Sequence, residues 1–310
     1  MRKNKMKKLI ALLLVAVMCF AIVGCNDTNT DTPSNPSNPS NPSNPSNPSN
    51  PSNPSNPNGG ANNAEGIPSV DSASVLKEGS CGDSATFKLY NNGVLVISGT
   101  GSIAKENPFS NFGNHIKYIL IKDGVTDIED CAFRDISSFS IVELPKTLKT
   151  IGDYAFGECI GLKTINFPEG IERIGKNAFY ITSISNIVIP STITEIAEGA
   201  FSYNDRLEMI VIPGNVKTIR KSAFQDCDEL ATIILCNGVV TIEDDAFDSK
   251  GVRKMAIPDS VVDIGSDNID YRTTVYCNDN TKAAEWVEYY DAEIDTIVGY
   301  NGFVKNYKTN

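Results

Sequence analysis

The reactive side chains of this chain are few. One histidine, His115, serves all 310 residues, which excludes any mechanism that needs two imidazoles. Eight cysteines are present, but none falls in a C-x-x-C pair, the spacing on which a tetrahedral zinc site draws. The densest carboxylates are Asp226-x-Asp228-Glu229 and Glu243-Asp244-Asp245. Calcium would need them in the D-x-[DN]-x-[DN]-G order with a distal glutamate, and no loop has it, so they read as a solvated surface. Trp286, Tyr289 and Tyr290 lie at helical spacing and could stack on a sugar ring, although packing onto a neighbouring element is the plainer expectation. No nucleophile, base and orienting group stand out together, so the sequence predicts no catalysis, no metal and no cofactor. With 38 acidic against 27 basic residues the formal charge is −11, the opposite of the field that holds phosphate, so no nucleic-acid partner is expected.

The elements that carry these residues repeat. Ala-Phe recurs with Phe at 133, 156, 179, 201, 224 and 247, and eleven residues before each stands Lys122, Pro145, Pro168, Pro190, Pro213 or Cys236. A degenerate seventh copy pairs Pro258 with Ile269. One copy reads Leu207-x-x-Ile210-x-Ile212-Pro213-x-x-Val216-x-x-Ile219-x-x-x-Ala223-Phe224, and its seven apolar positions over seven copies hold a single polar residue, Asn268. The distance from the proline position to Phe never varies, whereas that from Phe to the next proline is 11 or 12, so length changes fall in a surface loop after Ala-Phe. Alternation before the proline marks a strand, and proline ends it because it cannot donate to a ladder. No copy can bury its apolar side alone, so the copies must stack into a solenoid. The expected fold is a β-rich repeat stack of about seven copies of 22–23 residues.

The N-terminus reads as an address. Basic residues at 1–8 precede an apolar run from Leu9 to Val23, too short for a spanning helix at about 20 residues but suited to a secretory leader. The run ends in Ile22-Val23-Gly24-Cys25, which resembles the lipobox of bacterial lipoproteins. That resemblance implies cleavage after residue 24, lipid on Cys25 and attachment to the membrane by acyl chains alone. Loss of the five leader cations would deepen the charge to −16, that is 22 basic against 38 acidic residues. From Pro33 to Asn56 a Pro-Ser-Asn triplet repeats eight times, a linker without apolar residues that favours extended polyproline II.

The repeat resembles the BspA-type leucine-rich repeat of bacterial surface proteins, with Cys159 and Cys227 at its final position. It departs from the common leucine-rich repeat where that family keeps a buried asparagine, since Gly124, Thr147, Gly170, Thr192, Asn215, Gly238 and Ser260 stand there. No asparagine ladder is therefore expected. Cys159 and Cys227 are three copies apart, about 14 Å at about 4.8 Å per strand, too far to bridge, so small buried hydrophobes and free thiols are expected. The resemblance implies an N-terminal β-hairpin cap with Asn91-Asn92-Gly93 as its turn, and a C-terminal strand-helix-strand cap with its helix near Lys282–Tyr290. The organisation follows as a leader at 1–24, lipidated terminus and linker at 25–66, hairpin cap at 67–113, solenoid at 114–273, and C-terminal cap and tail at 274–310.

Surface adhesion and contact with host or neighbouring cells are what the resemblance implies, on the outer side of the bacterial membrane and as a monomer. A glycan-capturing or wall-maintenance lipoprotein serving a separate enzyme is the alternative. The outward row two residues before the proline reads Leu120, Glu143, Asn166, Val188, Val211, Ile234 and Ala256, and Met209 lies in the next row. Leu120, Val188, Met209, Val211 and Ile234 are the candidate surface for a protein or glycan, as an apolar strip on the sheet. Acidic surroundings would favour a basic ligand.

Overall fold

A computed structural model describes residues 66–269, 272–290 and 293–294, so the leader, Cys25, the linker and the tail lie outside the described residues. Three strands open it: β1 (Val75–Ser80), β2 (Ala85–Tyr90) and β3 (Val94–Gly99), antiparallel in the order β1-β2-β3. Asn91-Asn92-Gly93 forms the turn between β2 and β3, with Gly93 at φ 87°, where only glycine is free of Cβ strain. Strand β1 extends the hairpin by one strand beyond the sequence expectation.

From β3 onward the sheet is parallel. Strand β3 pairs with Tyr118–Ile121, which pairs with Ile141–Glu143, then Thr164–Asn166. A second run on this face pairs Met209–Ile212, Thr232–Leu235, Lys254–Ala256, Thr274–Tyr276 and Glu293–Ile294. Shorter strands ending in the repeat isoleucine form two four-stranded ladders on a second face. Both faces are interrupted at copy four. Residues 184–190 form no strand, and no ladder joins Arg173–Ile174 to Glu195–Ile196. This copy has the shortened Phe-to-Phe spacing of 22, and its loop carries Ile181 at φ 53°, a strained value for a β-branched residue.

Between the faces lies the core. Of the 49 repeat positions all are buried except Leu144, Phe167, Ile264 and Ile269, which are partly buried and pack against it. The phenylalanines form one stack from Phe109 through 133, 156, 179, 201, 224 and 247, with neighbouring centroids 5.1–5.5 Å apart and planes within 13°. Phe109 belongs to a turn hidden in the hairpin region: β3 pairs like a repeat strand, and Ser98 precedes Phe109 by the same eleven residues. Pro108 replaces the usual alanine there, which hides the copy from an Ala-Phe pattern.

The segment around Ala-Phe makes a third ladder, an arc. The N–H of Cys131, Phe133 and Asp135 donate to the carbonyls of Asp153, Ala155 and Gly157 in the next copy, at 2.8–2.9 Å. The pattern continues copy after copy, through copy four, to Phe224 and Ala246. Left-handed residues two before each Phe aim the donors one way: Cys131, Tyr154, Asn177, Ser222 and Asp245 at φ 52–57°. At the far end Asn268 closes it. Its Oδ1 accepts the Phe247 N–H at 3.1 Å, and its Nδ2 donates to the carbonyls of Glu243 and Gly265. The lone polar residue among the repeat positions is thus a cap.

The C-terminal cap follows the expected order. Helix α1 (Lys282–Tyr290) is opened by the Thr281 hydroxyl, which accepts the Ala284 N–H, and it buries Ala283 and Val287. Trp286 packs against the core and donates from Nε1 to Gly265 O at 3.2 Å. It is a packing residue, while the side chains of Tyr289 and Tyr290 lie outside the described residues.

Candidate binding surface

The outer rows follow the expected register. Leu120, Glu143 and Asn166 are direct neighbours in one run, and Val211, Ile234, Ala256 and Tyr276 in the other. Their exposure is uneven. Val188 is 51% exposed on the unpaired segment of copy four, whereas Leu120, Val211 and Met209 are half-buried. Ile234 corrects the expectation, for it has no exposed surface, and neither does Ala256 beside it. In-register Val211 and Ala256 flank Ile234, as Val96 and Glu143 flank Leu120, yet Leu120 keeps exposed surface, so pairing within the sheet does not by itself set accessibility in this row. Val188 is not laddered to Val211, so the strip is not one continuous row. What remains is Val188, Val211 and Met209 around the interruption, with Leu120 apart in the first run.

The buried cysteines do more than fill space. Cys159 and Cys227 donate from Sγ to the carbonyls of Phe133 and Phe201 in the preceding copy, at 3.1 and 3.2 Å. Asn204 holds the corresponding position, and its Nδ2 donates to Phe179 O and Phe201 O at 2.9 and 2.8 Å, while the buried Thr182 hydroxyl donates to its Oδ1. One buried asparagine therefore shares a row with the thiols, which the sequence reading did not anticipate. Burial pushes the Cys227 thiol up to about 12, and Cys159 higher still. Thiols held protonated in this way are poor nucleophiles. Among the described residues Cys81, Cys131, Cys159, Cys227 and Cys277 are free.

The Glu243-Asp244-Asp245 cluster is engaged in structure. Glu243 pairs with Arg220 at 2.7 Å and accepts the Lys221 N–H, Asp244 accepts the N–H and hydroxyl of Ser266, and Lys221 pairs with Asp245 at 3.3 Å. Among the described residues no three histidine, cysteine or acidic side chains gather as metal ligands. The charged cleft at the interruption of the second face follows the same rule, since Arg173 meets Asp153 and Arg220 bridges Glu195 and Glu243. His115 is exposed on the 3-10 turn Gly113–His115 that enters the first copy. No buried side-chain nitrogen or oxygen among the described residues lacks a partner.

A strip of tyrosines on the outside of the arc was missed by the sequence reading. Tyr154, Tyr180 and Tyr203 lie two before, one after and two after their phenylalanines, so no single repeat position contains them. Only the curvature of the arc brings them into edge-to-face contact.

Comparison with known proteins rests on this stack. The family model of the BspA type leucine rich repeat region matches residues 102–231 and 151–276 in six copies, more than half of the chain. The chain belongs to the BspA-type leucine-rich repeat family. No curated protein matches it. It is similar to a leucine-rich repeat protein of Eubacterium ventriosum, at 23% identity over 64% of this chain and 71% of that one, with a TM-score of 0.42. A leucine-rich repeat protein of Bacteroides ovatus is 21% identical over 71% of this chain and 68% of that one, at a TM-score of 0.45. A leucine rich cell surface protein of Faecalibacterium prausnitzii is 22% identical over 67% and 55%, at 0.38. BspA-type repeat proteins are cell-surface proteins whose solenoids are typically non-catalytic. Among the described residues of this BspA-type stack no helix is long and apolar enough to cross a membrane.

Proposed function

We propose that the protein is a lipid-anchored binding module of the bacterial cell surface, adhesin-like and without catalysis of its own. The observation that carries this reading is the outer face where copies four and five meet, where Val188, Val211 and Met209 offer apolar surface on a solenoid whose buried side-chain polar atoms, among the described residues, are all partnered. A solenoid face presents many side chains to a protein or polymer at once and suits recognition. Its polar groups hold copies together, as Arg220 holds Glu195 and Glu243. The Ile22-Val23-Gly24-Cys25 sequence and the Pro-Ser-Asn linker support a lipid on Cys25 and a spacer that carries the stack away from the membrane.

Two measurements test the reading. Fatty-acid labelling in a bacterial host is expected for the native chain and lost in Cys25→Ala, together with membrane fractionation; equal labelling of both forms overturns the anchor. A panel of matrix and cell-surface proteins, run beside a glycan array, is expected to yield a protein ligand that Val188→Lys with Val211→Lys binds at least tenfold more weakly. Glycan hits alone would favour a capture protein serving a separate enzyme, and unchanged affinity in the folded double variant would remove the sheet face from the site.

A further inference from the structure

The arc carries a surface of different chemistry from the sheet. Tyr154, Tyr180 and Tyr203 contact edge to face, with centroids 6.2 and 5.4 Å apart and planes at 76° and 78°. Tyr203 is 42% exposed. At the N-terminal end of this strip the chain supplies its own cation. The Arg134 guanidinium lies 4.9 Å from the Tyr154 centroid and forks onto Glu158 Oε1 at 2.5 and 3.0 Å. Aromatic face, carboxylate and guanidinium make one set there, attracted through the ring quadrupole as well as the ion pair.

The C-terminal end has the first two members of such a set. The Tyr203 N–H donates to Gln225 O, beside Asp226, and the Asp226 N–H donates to Asp248 O, both at 2.8 Å, which ties the copies together. Asp248 takes only the neutral Gln225 amide, at 3.3 Å, and neither Asp226 nor Asp248 forms an ion pair among the described residues. Lys221 is held by Asp245. The Asp248 carboxyl is raised by partial burial and by the charges of Asp226, Asp245 and Asp267, so carboxylates crowd this end of the strip.

We infer that the tyrosine strip, ending at Tyr203, Asp226 and Asp248, docks an arginine-bearing segment of a basic protein partner, whose guanidinium completes there the set that Arg134 completes at the other end. Charge complementarity with a chain at −11 favours such a partner over a neutral glycan. Tyrosine and arginine are also the side chains that dominate interface energetics. The inference shares with the proposed function only the premise that the stack binds proteins, and it concerns another surface.

The probe is a labelled peptide of alternating arginine and glycine, titrated into the full chain at near-physiological salt and compared with the same peptide bearing citrulline for arginine. Saturable binding of the arginine form is expected, at least tenfold tighter than the citrulline form. Tyr203→Ala and Asp226→Asn with Asp248→Asn should each weaken it at least tenfold, and Tyr203→Phe should retain most of it. Asp71→Asn with Asp83→Asn, which removes equal charge at the hairpin end, should stay within twofold, as should Val188→Lys with Val211→Lys, whose loss of binding elsewhere would speak to the sheet face alone. Melting curves confirm that each variant is folded. The inference is overturned by an absence of saturable binding, by equal binding of the citrulline peptide, by equal loss in both neutralised variants, or by unchanged affinity in folded Tyr203→Ala.

Discussion

The arc and the sheet of this solenoid respond differently to the same irregularity. At copy four both sheet faces lose their pairing, yet the arc passes through unbroken, whereas the equally short loop into copy seven leaves its ladders intact. Phe179 still meets Phe156 and Phe201 at 5.3 and 5.5 Å with planes within 7°, and its N–H still donates to Ala200 O. Repeat-to-repeat continuity therefore resides in the arc. There a stacked ring, an alanine that admits close backbone approach and a fixed left-handed residue determine geometry together. The sheet at this point contributes outward side chains and tolerates interruption.

Substitution at the two places should separate these roles. Phe179→Ala removes a fully buried ring from the middle of the stack and is expected to cost about 3–5 kcal/mol in denaturant melts. Phe201→Ala should match it, and both should exceed Ile269→Ala in the partly buried last copy. A loss below about 1 kcal/mol at both phenylalanines would break the comparison. Asn204→Leu keeps much of the volume but leaves Phe179 O without its amide donor and Phe201 O with the Cys227 thiol alone, so a loss of about 1–3 kcal/mol is expected. A neutral result would show that the arc does not depend on that buried amide. Val188→Lys, on the unpaired segment of the sheet face, should change stability by less than about 0.5 kcal/mol. A larger loss would mean that the interrupted sheet is itself under tension.

Much of this architecture is legible in the sequence because it depends on side-chain type at fixed spacing. The constant eleven residues from proline to phenylalanine announce the turn, and the alternation of Ile210 and Ile212 announces the strand that leads into it. The helix of the C-terminal cap falls at its expected residues, Lys282–Tyr290. Features made by backbone geometry are not legible in the same way. The copy ending at Phe109 lacks its alanine, and the left-handed position holds cysteine, tyrosine, asparagine, glycine, serine or aspartate without a common type. Nor does an apolar outer residue reveal its exposure: Val188 and Ile234 occupy one row of the pattern, and one is open while the other is covered. The tyrosine strip escaped for a similar reason, since its members hold three different repeat positions and meet only in space.

A stack whose arc donors all point one way is a polar rod with unlike ends. Head-to-tail addition of a second copy is the mode of self-association that leads to open filaments, and a bare arc would template it. The chain presents an antiparallel hairpin at one end and, at the other, an amide side chain that spends its oxygen on the Phe247 N–H. Neither the hairpin nor the Asn268 amide reproduces the backbone pattern of the arc. Asn268 acts in this sense as a stop at the end of the arc ladder, its side-chain oxygen standing where the carbonyl of a further copy would accept.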